Sequence, residues 1–257
     1  MGILNLTPDS FFDGGTNCNK EDIILKVNNM EYDGAQIIDI GGYSTRPGAT
    51  QVTEEEELNR VLPIVKLIAN NFKDLTISVD TFRSNVAKKC IEVGATMIND
   101  ISGGSLDTNM FNCVANLNVP YVLMHIQGNP ENMQENPTYN NVVEDVKNYF
   151  EEKIIQLNQL GVKDIILDPG FGFGKTVEHN YELLNNLDAF NCFNLPILAG
   201  LSRKSMITKV IDTSPDEALN GTTVLNTIAL TKGANILRVH DVKEANECIK
   251  LVNKINI

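Results

Sequence analysis

Residues 163–176, KDIILDPGFGFGKT, decide how the rest of the chain is read. The first half is a short apolar run ending in Asp168 and closed by Pro169 and Gly170. A run apolar at consecutive positions reads as a strand buried on both faces, and it delivers its carboxylate at the C-terminal end. The second half clusters glycines ahead of a Lys-Thr pair and invites comparison with a phosphate-binding loop. The spacing refuses it. A P-loop needs Gly, four residues, then Gly-Lys-Ser/Thr, and the place of the first Gly is taken by Pro169. Proline has no N–H to offer a phosphate. The dinucleotide pattern G-x-G-x-x-G fails as well, because Lys175 stands where its third Gly belongs.

Outward from this strand, similar runs recur along the whole chain. Strands are expected at 2–6, 37–40, 76–80, 97–100, 121–124, 165–168, 197–199 and 236–239, with helical patterns between them. Thr53 and Glu56 form a capping box ahead of a stripe of Leu58, Val61, Leu62, Val65 and Ile68. Pro63 is expected to kink or break that helix. A second helix is expected to start at a Ser84 cap and stop at Gly94, and a third to stop at Gly233. Eight strand–helix units in 257 residues match an α/β fold of the (β/α)8 TIM-barrel type, read as one domain over 1–257. A doubly wound open sheet is the competing architecture.

Composition narrows the function. Hydrophobic residues make up 42% and charged residues 21%, ordinary for a globular chain. No apolar run is long enough for a membrane span, and no secretory signal opens the sequence. The opening MGILNLTPDS is already strand plus loop, which leaves open a longer or fused protein. Cys18, Cys90, Cys113, Cys192 and Cys248 are odd in number and never spaced as C-x-x-C, which suits reduced thiols in a cytoplasm. With 33 acidic against 21 basic residues the formal charge is −12, so a broad nucleic-acid surface is not expected. An anionic substrate would need a local cluster of cations.

Polar residues collect where the strands end: Asn5, Asp39, Asp80, Asn99, Asp100, His125, Asp168, then Ser202, Arg203, Lys204, Arg238 and His240. A single strand ending in Asp or Asn usually just begins a turn. A ring of them is different, because in a barrel those ends converge on the face that carries the active site. Asp80, Asn99 and Asp168 suit a flat heterocycle bearing amino and lactam groups. Arg238 and His240 follow the last strand, where barrels hold phosphate, and Lys204 adds a cation. Asn5 offers a hard oxygen suited to Mg2+. His125 and His179 read as structural or surface residues, and no Cys/His/Asp group has zinc spacing. The glycine- and proline-bearing segments TPDSFFDGG (7–15) and GGYSTRPGA (41–49) read either as solvated connections or as lids that exclude water.

Taken together, GILNLTPDSFFDGG, IDIGGYSTRPGA, ISVDTFR, INDISGG, VLMHIQGNPENMQ, ILDPGFGFGKT, LSRKS and LRVHDV, in that order on successive strands, carry a resemblance. The chain resembles the dihydropteroate synthases, pterin-binding enzymes of folate biosynthesis, over nearly its whole length. The resemblance implies a transferase that condenses 6-hydroxymethyl-7,8-dihydropterin diphosphate with p-aminobenzoate, uses Mg2+, is a sulfonamide target and forms a homodimer. It implies that Asp80, Asn99, Met124, Asp168 and Lys204 line a pterin pocket, and that Asn5, Arg238 and His240 hold diphosphate, Asn5 through the metal. Phe11, Thr45, Arg46, Pro47, Phe173 and Ser202 would form the p-aminobenzoate pocket. Asp80, Asp9, Lys204, Arg238 and His240 would carry the chemistry. Two positions depart from the family's pattern: Phe12 stands where Ser is usual and Tyr43 where Glu is usual. A pterin-dependent corrinoid methyltransferase and a non-catalytic pterin-binding barrel remain as alternatives.

Overall fold

A computed structural model describes residues 1–6, 12–13, 17–43, 52–128 and 132–255. In chain order its strands are β1 (Gly2–Asn5), β2 (Phe12–Asp13), β3 (Asn17–Cys18), β4 (Ile37–Gly41), β5 (Thr76–Asp80), β6 (Met97–Asp100), β7 (Tyr121–Met124), β8 (Ile165–Asp168), β9 (Leu198–Ala199) and β10 (Ile236–Leu237). β1 and β4 to β8 hydrogen-bond in sequence as one parallel sheet, and β9 pairs with β10 in parallel. Parallel bridges from Leu167 to Ile197 and from Gly2 to Val239 join the two sets and close the ring. The result is an eight-stranded parallel barrel, as expected, with strand limits within two residues of those read from sequence. The antiparallel pair β2–β3 was not expected; β2 falls within the first of the two glycine-bearing segments and β3 just beyond it.

A strand period of two sorts each strand between two layers. Ile38, Ile40, Ile77, Val79, Ile98, Tyr121, Leu123, Ile165 and Leu167 belong to the large core shared with the helices. The alternate residues Met97, Val122, Ile166 and Leu198 form a separate buried cluster, with Met1, Ile37 and Ile236 against it. This second cluster fills the barrel interior, and each fully buried side chain of this size contributes about 1.5–3 kcal/mol. Asp100 shows what the alternation decides. It is one residue beyond Asn99, and its carboxylate is consumed in the outer layer by Ser102 N (2.8 Å) and Oγ (2.7 Å), Gly104 N (2.8 Å) and Tyr121 Oη (2.7 Å).

Two local expectations need correction. The helix Glu54–Asn71 runs unbroken through Pro63. Pro63 and Asn59, whose carbonyl loses its helical donor, both lie on the exposed side, where water can replace the bond. Val61, Ile64, Val65 and Ile68 hold the opposite face in the core, while Leu62 is only partly buried. The helix Ser84–Glu92 has Arg83, not Ser84, at its N-cap, with no capping side chain of its own. Its first N–H is instead satisfied from a distance, Ser84 N donating to Asp107 Oδ2 at 2.8 Å. The Thr53–Glu56 capping box forms as expected.

Candidate active site

The inward residues at the C-terminal strand ends are charged or polar, and Arg238 organises them. It follows β10 and donates from Nε to Asp39 Oδ2 on β4 (2.7 Å) and from Nη2 to Asp80 Oδ2 on β5 (2.8 Å). Asp39 Oδ2 also accepts from Asn99 Nδ2 on β6 at 3.0 Å. One guanidinium therefore ties three strand ends together. Asp39 is fully buried, and its Oδ1 has no hydrogen-bond partner among the described residues. Burial works against the charge of Arg238, but Asp39 and Asp80 outweigh it and raise the pKa further. For Asp80, burial pushes the carboxyl up to about 7, against the pull of Arg238 and with the help of Asp39.

Across the same end of the barrel, Asp168 ends β8 almost fully buried and accepts from Gly170 N at 2.8 Å. Burial raises its pKa, opposed first by Lys204. Burial lowers Lys204 to about 8 against the attraction of Asp168. Its Nζ donates to the Phe171 carbonyl and lies 5.0 Å from the centre of the Phe173 ring. Met124 is buried among Ile101, Ile126 and Met133, with Phe82 and Phe173 packed on this cluster, so one apolar wall faces the charged centre. Ser202 Oγ lies 2.9 Å from His240 Nδ1 and accepts from the His240 backbone N–H at 3.2 Å. Asn5 ends β1 directly opposite Gly41 in register. A methyl group on Gly41 would sit 3.6 Å from Asn5 Oδ1 and 3.8 Å from Asp80 Oδ2, so the missing side chain leaves room beside the Asn5 oxygen.

The structure thus brings Asn5, Asp80, Asn99, Met124, Asp168, Phe173, Ser202, Lys204, Arg238 and His240 to one end of the barrel. The expectations on Asp9, Phe11, Thr45, Arg46 and Pro47 lie outside the described residues. Arg203, between Ser202 and Lys204, does not join the group. Its guanidinium is taken by Asp241 (2.7 and 3.1 Å) and Asp216 (3.5 Å). Tyr43 and Val52, which flank residues 44–51, both meet Arg83. Its guanidinium donates to the Val52 carbonyl at 2.7 Å and lies 5.5 Å from the Tyr43 ring centre, while Tyr43 also packs edge-on against Phe82. Two residues had no site role in the sequence reading and hold central places here. Asp39 was named in the strand-end ring without a role, and its place as the charged residue inside the apolar run IIDI, two positions from the start of the strand, is the signal that sets it apart. Lys175 is buried in the loop that failed the P-loop test, and no spacing signal marks it.

Comparison with known proteins gives the family and the fold. The chain is 49% identical over 254 residues to the dihydropteroate synthase of Escherichia coli strain K12, covering 98% of this chain and 89% of that one. It superposes with a TM-score of 0.93 on the Yersinia pestis dihydropteroate synthase solved with a sulfonamide drug, at 42% identity and covering 99% and 93% of the two chains. The Xanthomonas albilineans enzyme solved with 7,8-dihydropteroate matches with a TM-score of 0.87 at 35% identity, over 99% and 92%. The pattern that defines the family described as pterin binding enzyme matches residues 1–240. Fold and strand-end chemistry together define a barrel transferase of the pterin-binding class. Within that class, the chain belongs to the dihydropteroate synthases.

Proposed function

We propose that the strand-end ring divides the dihydropteroate synthase reaction as follows: Asp80, Asn99, Met124, Asp168 and Lys204 bind the pterin, Asn5, Arg238 and His240 receive diphosphate, and Phe173 and Ser202 border the p-aminobenzoate site. The observation that carries this reading is the Asp39–Arg238–Asp80 network at the converging ends of β4, β5 and β10, anchored on the fully buried Asp39 and partly open at Arg238 and Asp80. A cation fixed between two carboxylates supports leaving-group charge on one side and cationic charge on the substrate on the other.

The reaction places a developing cation on the pterin methylene as its bond to diphosphate oxygen breaks. Preoriented charges act strongly on such a change, because they need not reorganise during it. Asp80 faces the heterocycle, and in its ionised form, which Arg238 favours against burial, it stabilises the positive charge. Arg238 and His240 take up the negative charge that leaves. With the Ser202 hydroxyl donating to His240 Nδ1, the ring's own proton sits on Nε2, a donor suited to an anion. Lys204, opposite in charge to Asp168 and attracted to it, completes the polar edge of the pterin pocket. The amine of p-aminobenzoate then attacks the methylene carbon, oriented by the aromatic wall of Phe173. Asp9, Phe11, Thr45, Arg46 and Pro47 belong to this reading on the resemblance alone, with the segments that bear them keeping water from the cation.

Magnesium fits the donor set. No group of three or more His, Cys, Asp or Glu among the described residues could hold a metal by itself. Mg2+ rarely needs one, since it keeps waters and takes substrate phosphate oxygens. Asn5 Oδ1, clear beside Gly41, would be its protein ligand, and the bound ion would neutralise charge on the diphosphate. A homodimer and a cytoplasmic setting complete the proposal. No helix among the described residues is long and apolar enough to cross a membrane.

The test is diphosphate release from the pterin diphosphate with Mg2+, with and without p-aminobenzoate. Release that depends on the amine and yields dihydropteroate supports the assignment of roles. Release without product, or pterin binding without release, would remove it.

A further inference from the structure

The loop that failed as a phosphate cradle is built the other way round. A P-loop points backbone N–H groups at an anion. Here the backbone carbonyls of residues 170–174 are each taken by a side-chain donor. Lys175 Nζ donates to Gly170 O (3.0 Å) and Phe173 O (2.9 Å), Lys204 to Phe171 O, Gln134 Nε2 to Gly172 O (2.6 Å) and Tyr139 Oη to Gly174 O (2.7 Å). Lys175 is the member at the centre. It is buried, and it also reaches His125 Nδ1 at 2.9 Å and His125 O at 3.5 Å.

From these contacts we infer that Lys175 is a positioning residue for the reaction: its Nζ closes the 168–175 loop around itself and so places both Asp168 and Phe173 in the pocket. The inference rests on the roles proposed above for those two residues. Three observations support it. First, the loop backbone adopts left-handed conformations at Gly170, Gly172 and Gly174, with φ of +71°, +82° and +61°. Such a path is open to glycine but not chosen by it, since glycine populates many others. Something must select it. Second, the selected path turns Gly170 N onto Asp168 Oδ1, so the hydrogen bond that orients the pterin-facing carboxylate depends on the same backbone that Lys175 holds. Third, the loop lies directly on the segment after β7: a methyl group on Gly170 would fall 1.9 Å from His125 O, and one on Gly174 2.5 Å from Gln127 O. Lys175 sits at that junction and ties the ends of β7 and β8 together.

The chemistry at Nζ is specific. Burial lowers the Lys175 pKa to about 7 against the attraction of Asp168; in its ammonium form it has three donors, and four acceptors surround it here, so neither a hydroxyl nor an amide could satisfy the set. With Lys175 donating to Nδ1, His125 carries its proton on Nε2 and stays neutral. Its pKa is held well below the usual histidine value by burial and then by the adjacent Lys175. The groups facing Lys175 are His125, Asp168 and Lys204, with Tyr149 and Tyr139 against the His125 ring.

The test compares Lys175→Met, close in volume but without N–H, with Lys175→Gly supplied with n-butylammonium. In Lys175→Met the KM for p-aminobenzoate is expected to rise at least tenfold and pterin affinity to fall at least fivefold, measured well below the variant's Tm. In Lys175→Gly, n-butylammonium is expected to restore at least part of both constants, while tetramethylammonium at equal ionic strength, which has charge but no N–H, does not. Both constants within twofold of the parent, with only Tm lowered, would overturn the inference and leave a purely structural lysine. Should Lys175→Met not fold, His125→Leu gives the same comparison, with an expected rise of at least threefold in KM for p-aminobenzoate. Unchanged constants there overturn it equally. Phe173→Ala runs alongside: if it leaves KM for p-aminobenzoate unchanged, the role proposed for Phe173 has failed and not that of Lys175.

Discussion

At one end of the barrel Ile37, Met97, Val122, Ile166 and Ile236 meet in a dry plug with Leu198. Two residues further along the same strands, Asp39, Asn99, Met124, Asp168 and Arg238 gather at the C-terminal end of the barrel. The first set is apolar, close-packed and replaceable by other side chains of like volume. The second includes buried charges whose desolvation consumes much of their mutual attraction, so they add little net stability. On the proposed assignment, the barrel keeps its packing and its chemistry at opposite ends of the same strands, only two residues apart. Substitutions at the two ends should differ most in their effect on turnover, although removing one partner of a charge pair also costs stability.

The largest effect is expected at Asp39. Asp39→Ala removes the acceptor that holds both Arg238 and Asn99, and leaves the guanidinium with one carboxylate. Misplacing reacting groups by about 1 Å can cost on the order of a hundredfold, and steady-state turnover of Asp39→Ala should fall by about that factor. Turnover within about threefold of the parent would mean that Arg238 needs no second anchor. Asp80→Asn comes next, with a loss of at least about tenfold in turnover, ~1.4 kcal/mol of barrier. A smaller loss would remove Asp80 as the stabiliser of the pterin cation.

Stability should move the other way at Asp80. Its folded pKa is raised from 3.8 to about 7, so the folded state binds this proton more tightly than the unfolded chain. The stability that this supplies is full below about pH 3.8 and lost as pH rises through about 7. Asp80→Asn cannot titrate, so its Tm should decline less than the parent's between pH 5 and 8. An identical decline would place the proton elsewhere. Activity needs the opposite form. The kcat/KM of the parent should rise as Asp80 ionises near pH 7 and fall as Lys204, lowered to about 8, loses its proton. A flat profile from pH 6 to 9 would contradict both assignments.

The dry end supplies the converse. Ile166→Ala should cost about 2–5 kcal/mol in chemical denaturation while leaving KM for either substrate within twofold. A large kinetic effect would show that the plug and the pocket are coupled. The smallest effect is expected at Tyr43, outside both regions. Tyr43→Glu keeps the Arg83 contact as an ion pair but loses the edge-on packing against Phe82. It should shift KM for p-aminobenzoate by less than about tenfold, since an aromatic pair is worth about 0.5–1.5 kcal/mol, and leave pterin affinity alone.

Much of this was legible from residue order, and the limits are physical. Each of the eight strands was read because parallel strands buried on both faces need nearly continuous apolar runs. Asn5, Asp80, Asn99, Asp168 and Arg238 were read because polarity at a strand's C-terminal end has one address in a barrel. Asp39 received no role because a buried Asp is explained only by its partner, and that partner, Arg238, is 199 residues away. Pro63 misled because the cost of a helical proline depends on which side meets water, a tertiary fact. Ser84 misled because its helix borrows a cap from Asp107, 23 residues on.

The sequence by itself determined the layers: which positions are apolar, with what period, and where each strand hands over to polar residues. Local sterics and burial set those features, and they act over a few residues at a time. Only the tertiary structure decided which charges meet. The Asp39–Arg238–Asp80 network and the loop gathered around Lys175 exist because barrel closure brings β10 beside β1 and sets β7 against β8. The energy of a buried ion pair depends on distance and surroundings, and neither is written in the order of residues.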